Sequence, residues 1–388
     1  MSKRDIVIAG YSETAIQFKS GRSAYDFAGE ALAKLLAATG IEKDAIDGLA
    51  VTAPLSETPN PFFAVYMCEA LGLTPDWLNY GGTGGCSATG GVARAASAIR
   101  DGLCEVVVVL SSDAPSTSWK ANYGAYRPEF QDPQGVQGPP ATFGLLMSRY
   151  HHQFGIKSEA LGKIAITQRQ HALHNDNAYA KFKTPITMAD YEKSRVIADP
   201  LKLLDCVMFC DGANAFLVTS EATARKLGIT KMVYPTAYAE VTNFNGNQSC
   251  PDITETGFSK IGPKVFKQSG LTPRDIKMFQ PYDDFTIAVM IQFEDFGFCK
   301  RGQGGDYTIN TDLSIAGELP LNTGGGQISA GQPGLASGGL NLAEAVRQMF
   351  GEGGGRQIAN PKNALVTGIG VIPFGRNWGT SAAMILEA

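Results

Sequence analysis

The chain has 388 residues, of which 44% are hydrophobic, 18% charged and 45 glycine, with a formal net charge of −4 at neutral pH. That length supports a large core in about two structural units. The slight acidity excludes a general attraction to nucleic acid or anionic lipid, and no apolar run reaches the roughly 18 residues of a membrane span.

The opening "MSKRDIVIAG" carries no long apolar segment of the secretory kind, so a cytoplasmic location is expected. "DIVIAG" (5–10) reads as a β-branched strand, and "SAYDFAGEALAKLLAATG" (23–40) as a helix with a Ser cap and a terminal glycine. "IDGLAVTA" (46–53) reads as a strand, "PFFAVYMCEALGL" (61–73) as a helix and "EVVVVLSSDA" (105–114) as a buried strand. Such alternation defines an α/β protein with parallel strands under helices.

Residues 115–200 break the rhythm, first with Gly, Pro and aromatic residues and then with helices around 141–177. This excursion is expected to lie over the first unit and cover the site. Trp119, Tyr123, Tyr126 and Phe143 either line a pocket or form the excursion's own core. Regular patterning resumes at 199–220. Beyond about 230, "IGPKVFKQSGLTPRDIKMF" (261–279) echoes "ALAKLLAATGIEKDAIDGL" (31–49), and "GGLNLAEAVR" (338–347) echoes "GGVARAASAIR" (90–100). The echoes keep their order, which points to an internal duplication with halves at 1–225 and 226–388.

Cys86 lies in "GGTGGCSATGGVARAASAIR" (81–100), between a glycine loop and a small-residue helix. The positive end of a helix dipole lowers a thiol's pKa, and backbone N–H groups there can hold an oxyanion, which suits attack on a thioester carbonyl. A small buried cysteine packed between helix and strand explains the same pattern. The seven cysteines have no paired zinc spacing and are expected as free thiols. The four histidines, at 151, 152, 171 and 174, all fall in the excursion. His171 and His174, three apart, fit a core helix better than a metal site, and no metal is expected.

"GGCSATGGVARAASAI" resembles the nucleophile segment of the thiolase superfamily. "DPLKLLDCVMFCDGANAFLVTSE" (199–221), "YDDFTIAVMIQFEDFGFCKRGQGGDY" (282–307), "LNTGGGQISAGQPGLASGG" (321–339) and "ALVTGIGVIPFGRNWGTSAAMILE" (364–387) are similar to further blocks of sterol-carrier-protein-type thiolases and related acetyl-CoA acetyltransferases, in the same order. The resemblance implies a thiolase-like fold: two duplicated halves in a five-layer αβαβα arrangement, carrying the excursion. It also implies an acyl-CoA substrate, no permanently bound cofactor, a homodimer formed through strands near the nucleophile segment, for which "CEVVVVL" (104–110) is a candidate, and a small zinc-ribbon/OB-fold partner protein.

The active-site pattern is atypical. Gln332 stands where thiolases carry the histidine that activates the cysteine, and Tyr282 where they carry His or Asn. The C-terminal cysteine falls near Thr367 or Gly368, and none exists beyond Cys299. An amide does not titrate near neutrality, so Gln332 can hold a carbonyl oxygen but cannot be a general base. Tyr282 can donate to an enolate or shuttle a proton, or serve as a core aromatic; Asp283 can orient a neighbour. The first expectation is an acyltransferase with an acyl-enzyme on Cys86, aided by Gln332, Tyr282 and backbone amides. The alternatives are a retro-aldolase on a β-hydroxyacyl-CoA using Tyr282, and a silent subunit of an acyltransferase complex.

Overall fold

A computed structural model describes residues 5–58, 60–118, 128–136, 138–248, 251–370 and 378–388. Trp119, Tyr123 and Tyr126 lie outside the described residues.

The strands form two main sheets. The first runs β1 (Ile6–Glu13), β7 (Gly212–Ser220), β4 (Val106–Asp113), β2 (Gly48–Thr52) and β3 (Trp77–Gly81). The second runs β8 (Tyr234–Thr242), β11 (Thr380–Glu387), β10 (Asn363–Ile369) and β9 (Phe279–Gln280). Both are wound alike. The first strand of each set takes one end, the last pairs antiparallel beside it, and the strands beyond run parallel. A short hairpin, β5 (Val196–Ala198) with β6 (Leu201–Lys202), stands apart.

The echoed phrases fall at equivalent places. The Ala24–Thr39 helix ends at Gly40 (φ 70°) and the Gly257–Ser269 helix at Gly270 (φ 80°), each in the left-handed conformation that costs glycine nothing. Each is followed by a single 3₁₀ turn, Lys43–Ala45 and Pro273–Asp275, and then by a buried isoleucine, Ile46 and Ile276.

Alternation along β4 sorts the layers. Val106, Val108 and Leu110 face one core with Phe27, Leu32 and Leu35, while Val107 and Val109 face the middle. The middle layer is two helices, Ser87–Arg100 and Gly338–Met349, packed between inner faces of both sheets. The third core covers the second sheet with Phe258, Ile261, Phe293 and Phe296. The result is helix, sheet, helix, sheet, helix. A helix covered by a sheet on each side must be slim, and small residues make it so: a Cβ on Gly91 would stand 2.7 Å from Val109 Cγ1.

Two expectations are corrected. The two long helices of the excursion pack on the second unit, and its flanking residues Ser116, Thr117 and Asn177 bond to the first. Phe143, Leu146, Leu161 and Ile164 of the Gly138–Phe154 and Ser158–Ala172 helices join the third core, where the Phe143 ring stacks on Phe285 at 4.0 Å. Phe143 is therefore a core aromatic. Secondly, "CEVVVVL" supplies β4, which has β7 on one side and β2 on the other, so its backbone is already paired. The open edge belongs to β3.

Candidate active site

The two middle helices point their N-termini at one another across the seam of the sheets. Gly84–Cys86 forms a tight turn that runs into the Ser87–Arg100 helix. Opposite, Gly338 begins the second helix, and a Cβ there would lie 2.1 Å from the Gly85 carbonyl oxygen. A Cβ on Gly368, at the end of β10, would lie 2.7 Å from Cys86 Cα. Only glycine fits these approaches.

Cys86 sits at this junction with no exposed surface, its thiol donating to the Thr380 carbonyl at 3.5 Å. Burial pushes the thiol well above its ordinary pKa, and the Glu240 carboxylate pushes it further. Desolvation of a sulfur anion thus opposes the thiolate expected from the helix end. A cleft of about 130 Å³ opens nearby, between β2, β3 and the helix, lined by Thr52, Asn79, Thr83, Ser87 and Arg94, but none of Cys86, Tyr282 or Gln332 faces it.

Tyr282 follows β9, and its ring lies over Gly85, where a Cβ would stand 2.1 Å from a ring carbon. Its backbone is held from two sides. The Tyr282 N–H donates to Thr367 Oγ1 at 2.8 Å, that hydroxyl donates to Gln292 Oε1 at 2.5 Å, and Gln292 Nε2 donates to the Tyr282 carbonyl at 2.9 Å. Thr367 is thus a backbone clamp. The phenol pairs with Ser337 Oγ at 3.0 Å. Burial, then the nearby Asp284, raises the phenol's pKa above that of ordinary tyrosine, while Ser337 and Gln332 pull it down. The phenol is neutral at physiological pH.

Asp283 and Asp284 differ in their surroundings. Asp283 accepts from the N–H groups of Gln327 (3.0 Å) and Ile328 (3.1 Å), and from Asn341 Nδ2 (3.3 Å). It anchors the start of the short Gly326–Ala330 helix, and burial raises its pKa to about 7. Asp284 has a buried Oδ1 without a hydrogen-bond partner, and burial followed by the Asp283 charge raises it well above the carboxylate range.

Gln332 takes its backbone from the opposite half: its N–H donates to the Met208 carbonyl and its carbonyl accepts from the Cys210 N–H. Its Nε2 donates to Gln327 Oε1 at 2.9 Å. The Gln332 amide interacts with the Tyr282 phenol, whose ring lies over Gly85 next to Cys86, and Ser337 stands at the start of the second helix. The histidines do not come here. His171 is a core residue whose Nδ1 lies 2.9 Å from the Leu321 carbonyl, and burial lowers its pKa. Among the described residues no three His, Cys, Asp or Glu side chains converge as a metal set. Asp284, Ser337 and Gln327 escaped sequence reasoning. Only Asp284, as the second acid of "YDDF", left a visible mark.

Residues 239–387 match the family model for the thiolase C-terminal domain. The chain is 32% identical over 386 residues to the 17-hydroxy-3-oxo-4-pregnene-20-carboxyl-CoA lyase of Mycobacterium tuberculosis, covering 94% of this chain and 96% of that protein. It is 32% identical over 384 residues to the steroid side-chain-cleaving aldolase of Thermomonospora curvata, covering 94% and 95%. Among solved structures, the Ltp2-ChsH2(DUF35) aldolase superposes with a TM-score of 0.84 at 30% identity, over 99% of this chain and 98% of that one. With the duplicated five-layer fold, these matches place the chain in the thiolase superfamily.

Proposed function

We propose that the chain is a carbon–carbon lyase of CoA thioesters, cleaving a β-hydroxyacyl-CoA by retro-aldol chemistry without a covalent intermediate on Cys86. The observation that carries this reading is the contrast at the helix junction. The thiol is buried, protonated and donating to a carbonyl, while the Tyr282 phenol beside it is clamped in place with Asp284 close by. The names of the two relatives, a lyase and an aldolase, support it.

In the proposed reaction the β-hydroxyl loses its proton and the Cα–Cβ bond breaks. The electron pair of that bond passes to the α carbon as a thioester enolate, and the hydroxyl-bearing carbon leaves as a ketone or aldehyde. The proton taken from the hydroxyl is then returned to the α carbon, which completes the shortened acyl-CoA and restores the base. Asp284 takes the hydroxyl proton, since a carboxylate whose proton affinity is raised by burial is a stronger base once ionised. Tyr282, kept neutral, donates to the enolate, and Gln332 with backbone amides holds the oxygens. Steroid side-chain thioesters, as named for the relatives, are the first substrates to try.

Incubation with 17-hydroxy-3-oxo-4-pregnene-20-carboxyl-CoA and with simpler 3-hydroxyacyl-CoAs should release a carbonyl product and a shortened acyl-CoA in equal amounts. The assay is run with and without a DUF35-type protein, since the structural relative is by its title a complex and a small zinc-ribbon/OB-fold partner is part of this proposal. A mass increase on Cys86 in place of those products would establish the second reading, the Cys86 acyltransferase, which the sulfur's position at a helix mouth favours.

A homodimer is also proposed, through the open edge of β3. Leu78 and Tyr80 on that strand are exposed, as are Phe62, Val65 and Tyr66 beside it, an apolar surface of the kind a second copy covers. Light scattering should give a dimer mass for the native chain and a monomer mass for Tyr80→Lys; a monomeric native chain overturns this.

A further inference from the structure

Four buried polar atoms beside Asp283 and Tyr282 lack a hydrogen bond of ordinary length and angle: both amide atoms of Gln168, Gln327 Nε2 and Gln332 Oε1, although the Gln168 amide interacts with the Asp283 carboxylate and the Gln332 amide with the Tyr282 phenol. Gln168 and Gln327 have no exposed surface and Gln332 is 5% exposed. They come from separate elements. Gln168 lies on the Ser158–Ala172 helix close to the Asp283 carboxylate, Gln327 on the Gly326–Ala330 helix, and Gln332 on the segment after it, within reach of the Tyr282 phenol. Buried amides without partners are uncommon and each costs about 1–3 kcal/mol, so three together call for a polar guest.

The inventory of free atoms says which guest. Gln332 Nε2 donates to Gln327 Oε1, which leaves one donor on Gln327 and one acceptor on Gln332. Exchanging N and O in both amides leaves the same inventory, one free donor and one free acceptor. Gln168 adds one more of each. A carboxylate would face the free acceptors, an ammonium would face the free donors, and a ketone would use donors alone. A hydroxyl uses both. An amide trio does not titrate, so it holds such a group equally at every working pH.

We propose that Gln168, Gln327 and Gln332 form a buried amide cradle for the β-hydroxyl of the substrate, making the site select hydroxylated over non-hydroxylated thioesters; this rests on the lyase reading above. In the free protein a water molecule takes the hydroxyl's place. Gln168 and Gln327 become specificity residues, and Asp283 fixes the cradle by holding the Gln327 backbone.

The test is the ratio of dissociation constants for butyryl-CoA and 3-hydroxybutyryl-CoA, measured by calorimetry in an Asp284→Asn background that does not turn the ligand over, with the native glutamines and with Gln168→Met or Gln327→Met. The native glutamines should favour the hydroxylated ligand by about tenfold or more, as for a hydrogen-bonded group facing a site built for it. Both variants should bring the ratio to within about twofold of one without weakening butyryl-CoA. A native ratio near one, or a ratio kept in both variants, overturns the cradle. A crystal structure of the free protein gives a ligand-independent check: an ordered water on the Gln168 and Gln327 amides is expected, and dry amides overturn the cradle. Hydroxyl preference together with acyl transfer to Cys86 would leave the cradle standing and refute the lyase reading instead.

Discussion

Replacing Tyr282 by phenylalanine is expected to lower kcat/KM for thioester cleavage by about 10²- to 10⁴-fold, the usual range for a group that moves or shares a proton in the transition state. The fold should survive. The ring keeps its packing over Gly85 and the backbone clamp of Thr367 and Gln292 does not involve the hydroxyl, so only the bond to Ser337 is lost, at about 1 kcal/mol. Cys86→Ala should retain activity within about threefold if no acyl-enzyme forms. The opposite pair of outcomes, a silent Cys86→Ala and an active Tyr282→Phe, would return the chemistry to sulfur. The pH profile adds a separate readout. Burial and the Asp283 charge raise Asp284 above the ordinary carboxylate range, so a base at Asp284 is protonated at low pH. Activity must then climb as pH rises through its ionisation. Asp284→Asn should abolish that limb along with most of the rate, and a limb unchanged in the variant would assign the proton transfer elsewhere.

Glu344→Leu should be among the most damaging single changes to stability. Glu344 is buried on the Gly338–Met349 helix and pairs with Arg347 at 2.8 Å and Arg356 at 3.1 Å, while accepting from Thr323 and Gln348. Arg347 also pairs with Glu13 of β1 at 2.6 Å, and Arg356 donates to the His174 carbonyl. The cluster ties the first sheet, the second middle helix and the excursion into one body. Removing the central carboxylate leaves Arg356 buried without a carboxylate among the described residues, a loss of about 3–5 kcal/mol, read as an earlier urea midpoint. The same carboxylate makes the protein acid-sensitive. Burial would raise its pKa, but Arg347 and Arg356 more than offset that and hold it below the ordinary glutamate value. The stability it contributes is complete above the unfolded pKa, about 4.3, and is lost as pH falls through the lower folded value. An acid melting curve with no steeper loss in the native chain than in Glu344→Gln would contradict this.

The fold was largely legible because each device that shapes it is local. Gly40 and Gly270 end helices in the same conformation, Ser23 caps the first helix with Asp26 three residues on, and the valines of β4 alternate between two cores. What pattern alone could not give was neighbourhood. "CEVVVVL" is apolar enough for any buried strand, and only pairing made it central and left β3 at the edge. The thiol at position 86 shows the same limit: the helix mouth was visible, but the desolvation that opposes its effect depends on Thr380, Gly368 and Tyr282, hundreds of positions away. Tyr282 and Gln332 could be picked out only against a family pattern, and Gln168, whose amide lies near Asp283, had no signal of its own.

The contact of Gly338 with Gly85 across the seam has a consequence for how such a chain can change over time. A duplicated gene ordinarily frees one copy to drift, yet here the two descendants meet backbone to backbone beside the proposed site. A methyl group acquired at Gly338 would strike the Gly85 carbonyl, and one at Gly85 would strike the Tyr282 ring of the other half, so neither side of the joint can gain bulk alone. Novelty must come from the surrounding loops and side chains, with the joint itself inherited intact.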